Sequence, residues 1–254
     1  MSESGDSDVA GFDAGLFVDK EYQDLTFSFG AHQVVLKALK GSTTEWDLTG
    51  QIIWPAASLL CDYILEHKTD FIGRHVLEVG AGCGLSGIFT AKFAKEVVLT
   101  DYQEVVLEVL AQNCEASNVD CAGEVRCAKL EWGKELEPFR AKHAPEGFDV
   151  IIGADVVHWP DCIRPLIDSL EVRPVHLCLT TRQTLLSSAP SASCVIAYIA
   201  RSERTQRDFM SALSDSNFVW DEVDLSAKRA ADAADPTVHA AGAPHIVILR
   251  RRTP

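Results

Sequence analysis

A chain of 254 residues, 47% hydrophobic and 24% charged, can bury a real core and has the balance of an ordinary globular protein. Its net charge of -14 argues against a phosphate-backbone partner, since that affinity comes mainly from Lys and Arg displacing counterions; a basic protein surface fits better. The acidic, polar start lacks a signal-peptide pattern and no apolar run approaches the roughly 20 residues of a membrane span, so no membrane and no nucleic-acid partner is expected. The eight cysteines are scattered without a CxxC pair or zinc-like Cys/His spacing. They read as reduced thiols in a cytoplasmic or nuclear protein, with no metal site.

In chain order, residues 1–20 are rich in Gly, Asp and Ser and read as a disordered tail, with a single domain over 21–254. Leu25 to Leu36 reads as two short strands around Gly30, a hairpin, followed by a polar loop at Gly41–Thr44. Trp54-Pro55 opens a helix, Pro being tolerated in the first turn, with Ala57, Leu60, Cys61, Ile64 and Leu65 as its apolar face. From His75 the pattern becomes regular: strand His75–Val79, helix Leu85–Ala94, strand Glu96–Thr100, helix Gln103–Ser117 and strand Glu124–Lys129. Then follow strand Phe148–Gly153, helix Asp161–Leu170, strand Cys194–Ala200, helix Arg201–Ser214, and strands at Phe218–Val223 and His245–Leu249. This alternation implies a parallel sheet covered on both faces. Val172–Ser193 has no clear pattern, and Ser226–Gly242 reads as an inserted loop.

The segment Gly80-Ala81-Gly82-Cys83-Gly84 follows a strand and opens a helix, where the backbone must turn sharply and approach a ligand. Gly82, Gly84 and Gly87 also fit the dinucleotide fingerprint, and a helix-packing cluster without ligand is a third reading. Two carboxylates favour a methyl donor. Glu78, two residues before the first glycine, suits the ammonium of a donor's amino-acid end and would repel a pyrophosphate. Asp101, ending the next strand, is placed to accept from ribose hydroxyls.

The run Leu77-Glu78-Val79-Gly80-Ala81-Gly82-Cys83-Gly84-Leu85-Ser86-Gly87 resembles motif I of seven-stranded (class I) S-adenosylmethionine-dependent methyltransferases. Thr49-Gly50-Gln51-Ile52-Ile53-Trp54-Pro55-Ala56-Ala57 lies upstream, and Leu130-Glu131-Trp132-Gly133 and Phe148-Asp149-Val150-Ile151-Ile152-Gly153-Ala154-Asp155 lie downstream. In this order, over about residues 25–225, the set resembles the methyltransferase-like 21 group, a lysine methyltransferase family. The resemblance implies an α/β, Rossmann-like seven-stranded methyltransferase sheet of order 3-2-1-4-5-7-6, its last strand antiparallel, with helices on both faces and an N-terminal β-hairpin. It implies S-adenosyl-L-methionine held by Glu78, Gly80, Gly82 and Gly84. Asp101 stands at the ribose, Trp132 beside the adenine, Trp54 in the pocket wall, and Ala154 and Asp155 above the methyl group. It also implies a protein substrate methylated on lysine; a monomer is expected.

The family's lysine enzymes carry an acid, two residues and a Tyr where this chain has Asp155-Val156-Val157-His158; His158 stands in the Tyr position. The acceptor alternatives are therefore a histidine or a small molecule, and an S-adenosylmethionine-binding module without turnover is a third reading. Asp155 is read as orienting the acceptor amine or as capping the next helix. His158 is read as accepting a proton, shaping the channel, or lying in a surface loop. Trp132 and Trp54 have plain alternatives as core and as a helix-entry staple. Tyr102 flanks the adenosine or packs at the surface; Arg201, Ser202 and Arg204 meet substrate or form a solvated helix face.

Overall fold

The computed structural model describes residues 22–39, 46–117, 121–171, 185–227 and 242–252. The N-terminal tail, the Gly41–Thr44 loop, most of the 172–193 stretch and nearly all of the 226–242 insertion lie outside the described residues.

Strands β1 (Tyr22–Phe29) and β2 (His32–Leu39) form an antiparallel hairpin, longer than the sequence pattern suggested, with Phe29 opposite His32 across the turn. Helix α1 is Pro55–Glu66, strand β3 is His75–Val79, helix α2 is Leu85–Thr90 and strand β4 is Glu96–Asp101. Next come α3 (Glu104–Ser117), β5 (Glu124–Lys129), α4 (Leu136–His143), β6 (Val150–Ala154) and α5 (Pro160–Leu170). The chain ends with β7 (Ser193–Ala200), α6 (Glu203–Ser214), β8 (Phe218–Glu222) and β9 (Ala243–Arg251).

The seven strands β3 to β9 form one sheet in the order β5-β4-β3-β6-β7-β9-β8. Counted along the chain this is 3-2-1-4-5-7-6, as expected. β3, β4, β5, β6 and β7 run parallel, and β9 is antiparallel to both β7 and β8. Successive residues of a strand face opposite sides. Val76 and Ile152 accordingly meet α1, α2 and α3 on one face, while Leu77 and Ile151 meet α4, α5 and α6 on the other. Burial on both faces explains why the central strands read as continuous apolar runs.

Several features depart from the sequence reading; β6 is Val150–Ala154 rather than Phe148–Gly153 and β9 is Ala243–Arg251 rather than His245–Leu249. α2 stops at Thr90 rather than Ala94, because the N–H groups of Lys92 and Phe93 donate three residues back, to the carbonyls of Phe89 and Thr90 at 3.2 and 2.9 Å, instead of four. α1 turns Ala56, Leu59 and Tyr63 inward beside Leu60, Cys61 and Ile64, while Ala57 and Leu65 stay partly exposed. α4 was not anticipated: only Leu136 and Phe139 are buried on it, too few for a visible period. In the 172–193 stretch, Leu185 and Leu186 are buried, and Leu186 bridges Phe148 in parallel.

Candidate functional site

The site is assembled at the carboxyl ends of β3, β4 and β6, where an open α/β sheet places its ligands. The glycine loop leaves β3, and its Ala81 N–H donates to the Thr100 carbonyl at 2.8 Å, tying it to the end of β4. Gly82 has φ +54, and a Cβ there would lie 3.0 Å from the Gly50 carbonyl oxygen, so only glycine fits without displacing backbone. Gly87 serves another purpose. A Cβ on it would lie 2.6 Å from Leu99 Cγ, which makes it the residue that lets α2 pack close to the sheet.

Asp101 ends β4 and is 9% exposed. It accepts from the N–H of Gly82 at 3.2 Å, Tyr102 at 2.8 Å and Gln103 at 3.3 Å. Burial raises its pKa, opposed by those three hydrogen bonds. Glu78 does not share this space. It lies on the same face of β3 as Val76, accepting from Ser86 Oγ and, at 2.9 Å, from Gly87 N. Burial pushes its pKa up to about 8. Its carboxylate braces the loop from behind and is not among the residues lining the cavity.

A cavity of about 420 Å³ opens over the loop, within the range of small-molecule sites. It brings together Trp54, Gly80, Gly82, Asp101, Trp132, Ala154, Asp155 and His158, which sequence reasoning had singled out. Gly84 and Glu78 support it from outside. Four carboxylates line it (Asp101, Glu131, Asp155 and Asp161), and among the described residues no Lys or Arg does. Such walls repel a pyrophosphate and suit a ligand carrying positive charge. Tyr102 is 41% exposed and Trp159 is 42% exposed, both at the cavity margin.

Asp155 sits just past β6 with φ +53, unusual for a residue with a side chain. Its Oδ2 accepts from Ala56 N at 3.0 Å and its Oδ1 from Ile199 N at 3.2 Å. The Arg201 guanidinium grips both oxygens, at 2.8 and 3.3 Å. A carboxylate offers about four lone-pair positions, and all four are used. Asp155 therefore caps α1 rather than α5; α5 begins after Trp159 without a side-chain cap. The Trp54 indole N–H donates to the Thr49 carbonyl at 2.8 Å, and the Arg201 guanidinium lies 4.9 Å from the Trp54 ring centroid. The His158 ring is nearly parallel to Trp54, at 6.2 Å and 23°. His158 Nδ1 meets the Asp155 carbonyl at 2.8 Å. A carbonyl can only accept, so Nδ1 carries the proton and Nε2 of the neutral ring presents the lone pair. Burial lowers the pKa of His158, against the raising effect of Asp155.

Asn113 escaped sequence reasoning, and Gly50 and Arg201 were named there without the roles they take. Asn113 on α3 donates from Nδ2 to the carbonyls of Lys37 and Cys83, each at 2.9 Å, and accepts from Lys37 N at 2.8 Å, joining the hairpin to the glycine loop. Gly50 lies in the short helical turn before α1 and presses on Gly82 and Val106. Arg201 is exposed yet is an ion-pair partner of the buried Asp155. Ser202 caps α6 through Thr205 N at 3.3 Å, and Arg204 stays on the outer face beside Asp208.

A family profile described as lysine methyltransferase matches residues 36–216. EEF1A lysine methyltransferase 3 of Mus musculus is 33% identical over 163 residues, which are 64% of this chain and 64% of that protein. Protein N-lysine methyltransferase METTL21A of Mus musculus is 33% identical over 167 residues, 64% of this chain and 69% of that protein. The chain thus spans less than two thirds of the first of these relatives. Among solved structures, a ribosomal protein L11 methylase from Lactobacillus delbrueckii subsp. bulgaricus superposes with a TM-score of 0.53 at 14% identity, covering 90% of this chain and 98% of that one. That likeness concerns the fold.

Proposed function

Since the chain belongs to the lysine methyltransferase family, whose profile covers residues 36–216, we propose that it transfers a methyl group from S-adenosylmethionine to the side-chain amine of a lysine on a protein substrate. The observation that carries the cofactor reading is the acidic lining of the cavity: four carboxylates, of which Asp155 is paired with Arg201 and Glu131 with Lys134, and, among the described residues, no Lys or Arg on its walls. That donor set fits a ligand with a sulfonium and an ammonium, and disfavours a dinucleotide.

When bound, the cofactor supplies an electrophilic methyl group and a neutral thioether as leaving group. The rest falls to the chain. Asp101 would accept from ribose hydroxyls, held in place by the N–H groups of Gly82 and Tyr102. Trp132 gives a flat surface for the adenine. The left-handed turn at Gly82 keeps side-chain bulk away from the amino-acid end. At the far end Ala154 leaves room beside the strand, and Trp54 and His158 wall the path by which the acceptor enters. Alignment of the amine lone pair with the donor's methyl group lowers the barrier. The amine must also lose a proton, its free pKa being roughly 10.4. Buried free thiols such as Cys61, Cys83 and Cys194 suit a reducing compartment, and we place the protein in the cytoplasm or nucleus.

The test is incubation of the full chain with methyl-labelled S-adenosylmethionine and cell lysate, followed by hydrolysis of the labelled protein. Methyl-lysine supports the reading. Methyl-histidine or a labelled small molecule reassigns the acceptor. Tight donor binding without any transfer points to a module that does not turn over, and NAD binding in place of the donor overturns the cofactor.

A further inference from the structure

The acceptor end of the cavity holds a carboxylate whose charge is already cancelled. Arg201 grips Asp155 at 2.8 and 3.3 Å, and the backbone N–H groups of Ala56 and Ile199 occupy its remaining positions. Arg201 does not line the main cavity; it lines a small neighbouring cavity together with His158. It also lies over the Trp54 ring, 4.9 Å from the centroid. We propose that Arg201 is a positioning residue that neutralises Asp155 and fixes Trp54, so that the acceptor channel takes an uncharged amine rather than an ammonium. This rests on the lysine reading of the site.

The reasoning is electrostatic. A bare carboxylate within about 4–6 Å of an amine favours its protonated form by roughly 1–3 pK units. An ammonium has no lone pair and cannot attack. Binding energy spent on it stabilises the ground state without lowering the barrier. A carboxylate locked into a neutral pair shapes the channel without that penalty.

The other ionisable groups around the channel come from several elements. His158 precedes α5, and Asp161 and Cys162 lie in its first turn. Glu131 comes from the turn after β5 and is paired with Lys134 at 2.6 Å. Near the glycine loop stand Cys83, its pKa pushed up to about 12 by burial, together with Asp101 and Tyr102. α1 contributes no charged group to the lining among the described residues. The pKa of His158 is lowered from 6.5, so its titration falls below the alkaline range in which the amine is read.

The experiment measures methyl-lysine formation in lysate protein by the full chain and three variants, at a series of pH values and lysate concentrations. For Arg201→Met the plateau of the rate should move to alkaline pH by about one unit or more. At neutral pH its half-saturating lysate concentration should fall while its maximal rate falls. Arg201→Lys should restore most of the original profile. Asp155→Asn, which leaves Arg201 as an excess cation, should weaken substrate binding and move the plateau the opposite way, and it carries the test if Arg201→Met does not fold. Loss of rate by a constant factor at every pH, with no shift in either variant, overturns the proposal while leaving the lysine reading intact. Absence of methyl-lysine with the unaltered chain overturns both.

Discussion

Asn113 donates to the Cys83 carbonyl at 2.9 Å, so the helix after Asp101 holds the glycine loop from behind while its other bonds hold the hairpin. The hairpin lies outside the main sheet, yet a single carboxamide ties it to the cofactor loop. Asn113 is 3% exposed, and Asn113→Leu would leave buried backbone groups of Lys37 and Cys83 without partners. The expected cost is about 1–3 kcal/mol. It should appear as a lower urea midpoint at unchanged slope, together with weaker binding of S-adenosylmethionine.

Gly82→Ala should act mainly on the ligand. Its φ of +54 costs a residue with a Cβ roughly 1–2 kcal/mol, and the new methyl meets the Gly50 carbonyl at 3.0 Å. If the strain is relieved by shifting the loop, donor affinity measured by calorimetry should fall about tenfold. An unchanged affinity would mean that the loop conformation does not matter to the cofactor.

Asp101→Ala removes the carboxylate expected at the ribose and also the acceptor that holds Gly82 N at 3.2 Å. Hydrogen bonds to a charged group contribute about 1.5–3 kcal/mol, so donor binding should weaken roughly 10- to 100-fold. Asp101→Asn keeps one oxygen for the backbone donors and should lose less. Equal binding by all three proteins would remove Asp101 from the site.

Glu78 predicts a pH-dependent stability. Its pKa rises from 4.5 to about 8 on burial, so between those values the folded chain binds a proton that the unfolded chain has released. Stability from this group is full below pH 4.5 and is lost as pH rises through 8. Glu78→Gln carries no such group. The melting temperature of the native chain relative to this variant should therefore fall from pH 5 to pH 8 and level off above. A difference independent of pH would show that Glu78 is ionised in the fold.

What the sequence revealed depended on how local each feature is. β3 and β5 have the bounds expected from the sequence, His75–Val79 and Glu124–Lys129; β3 is a short apolar run buried on both faces, which neighbouring residues alone mark out. The glycine loop and Asp101 are read from neighbouring residues. Arg201 reaches Asp155 across 46 residues and Asn113 reaches Lys37 across 76, and no periodicity encodes such pairings. The placement of Glu78 was open to reading: an alternating strand puts it on the side of Val76, toward α2.

Asp155 keeps its backbone at φ +53, a conformation that short polar residues tolerate better than alanine or any branched residue. The donors that engage its carboxylate also hold that backbone in place. Removing the side chain therefore takes away the compensation and leaves the strain. A substitution scan at this position should be steeply selective, with asparagine and glycine the mildest replacements for folding and β-branched residues the worst. Gly153, two residues earlier, is bounded differently: it has no such φ, and a Cβ there would press on Val79, Val156 and Ile196 at 3.1 to 3.2 Å. The end of this strand is thus restricted twice, once by backbone shape and once by space. That leaves evolution little room to redraw the wall facing the acceptor except at His158 and Trp159, where side chains reach solvent.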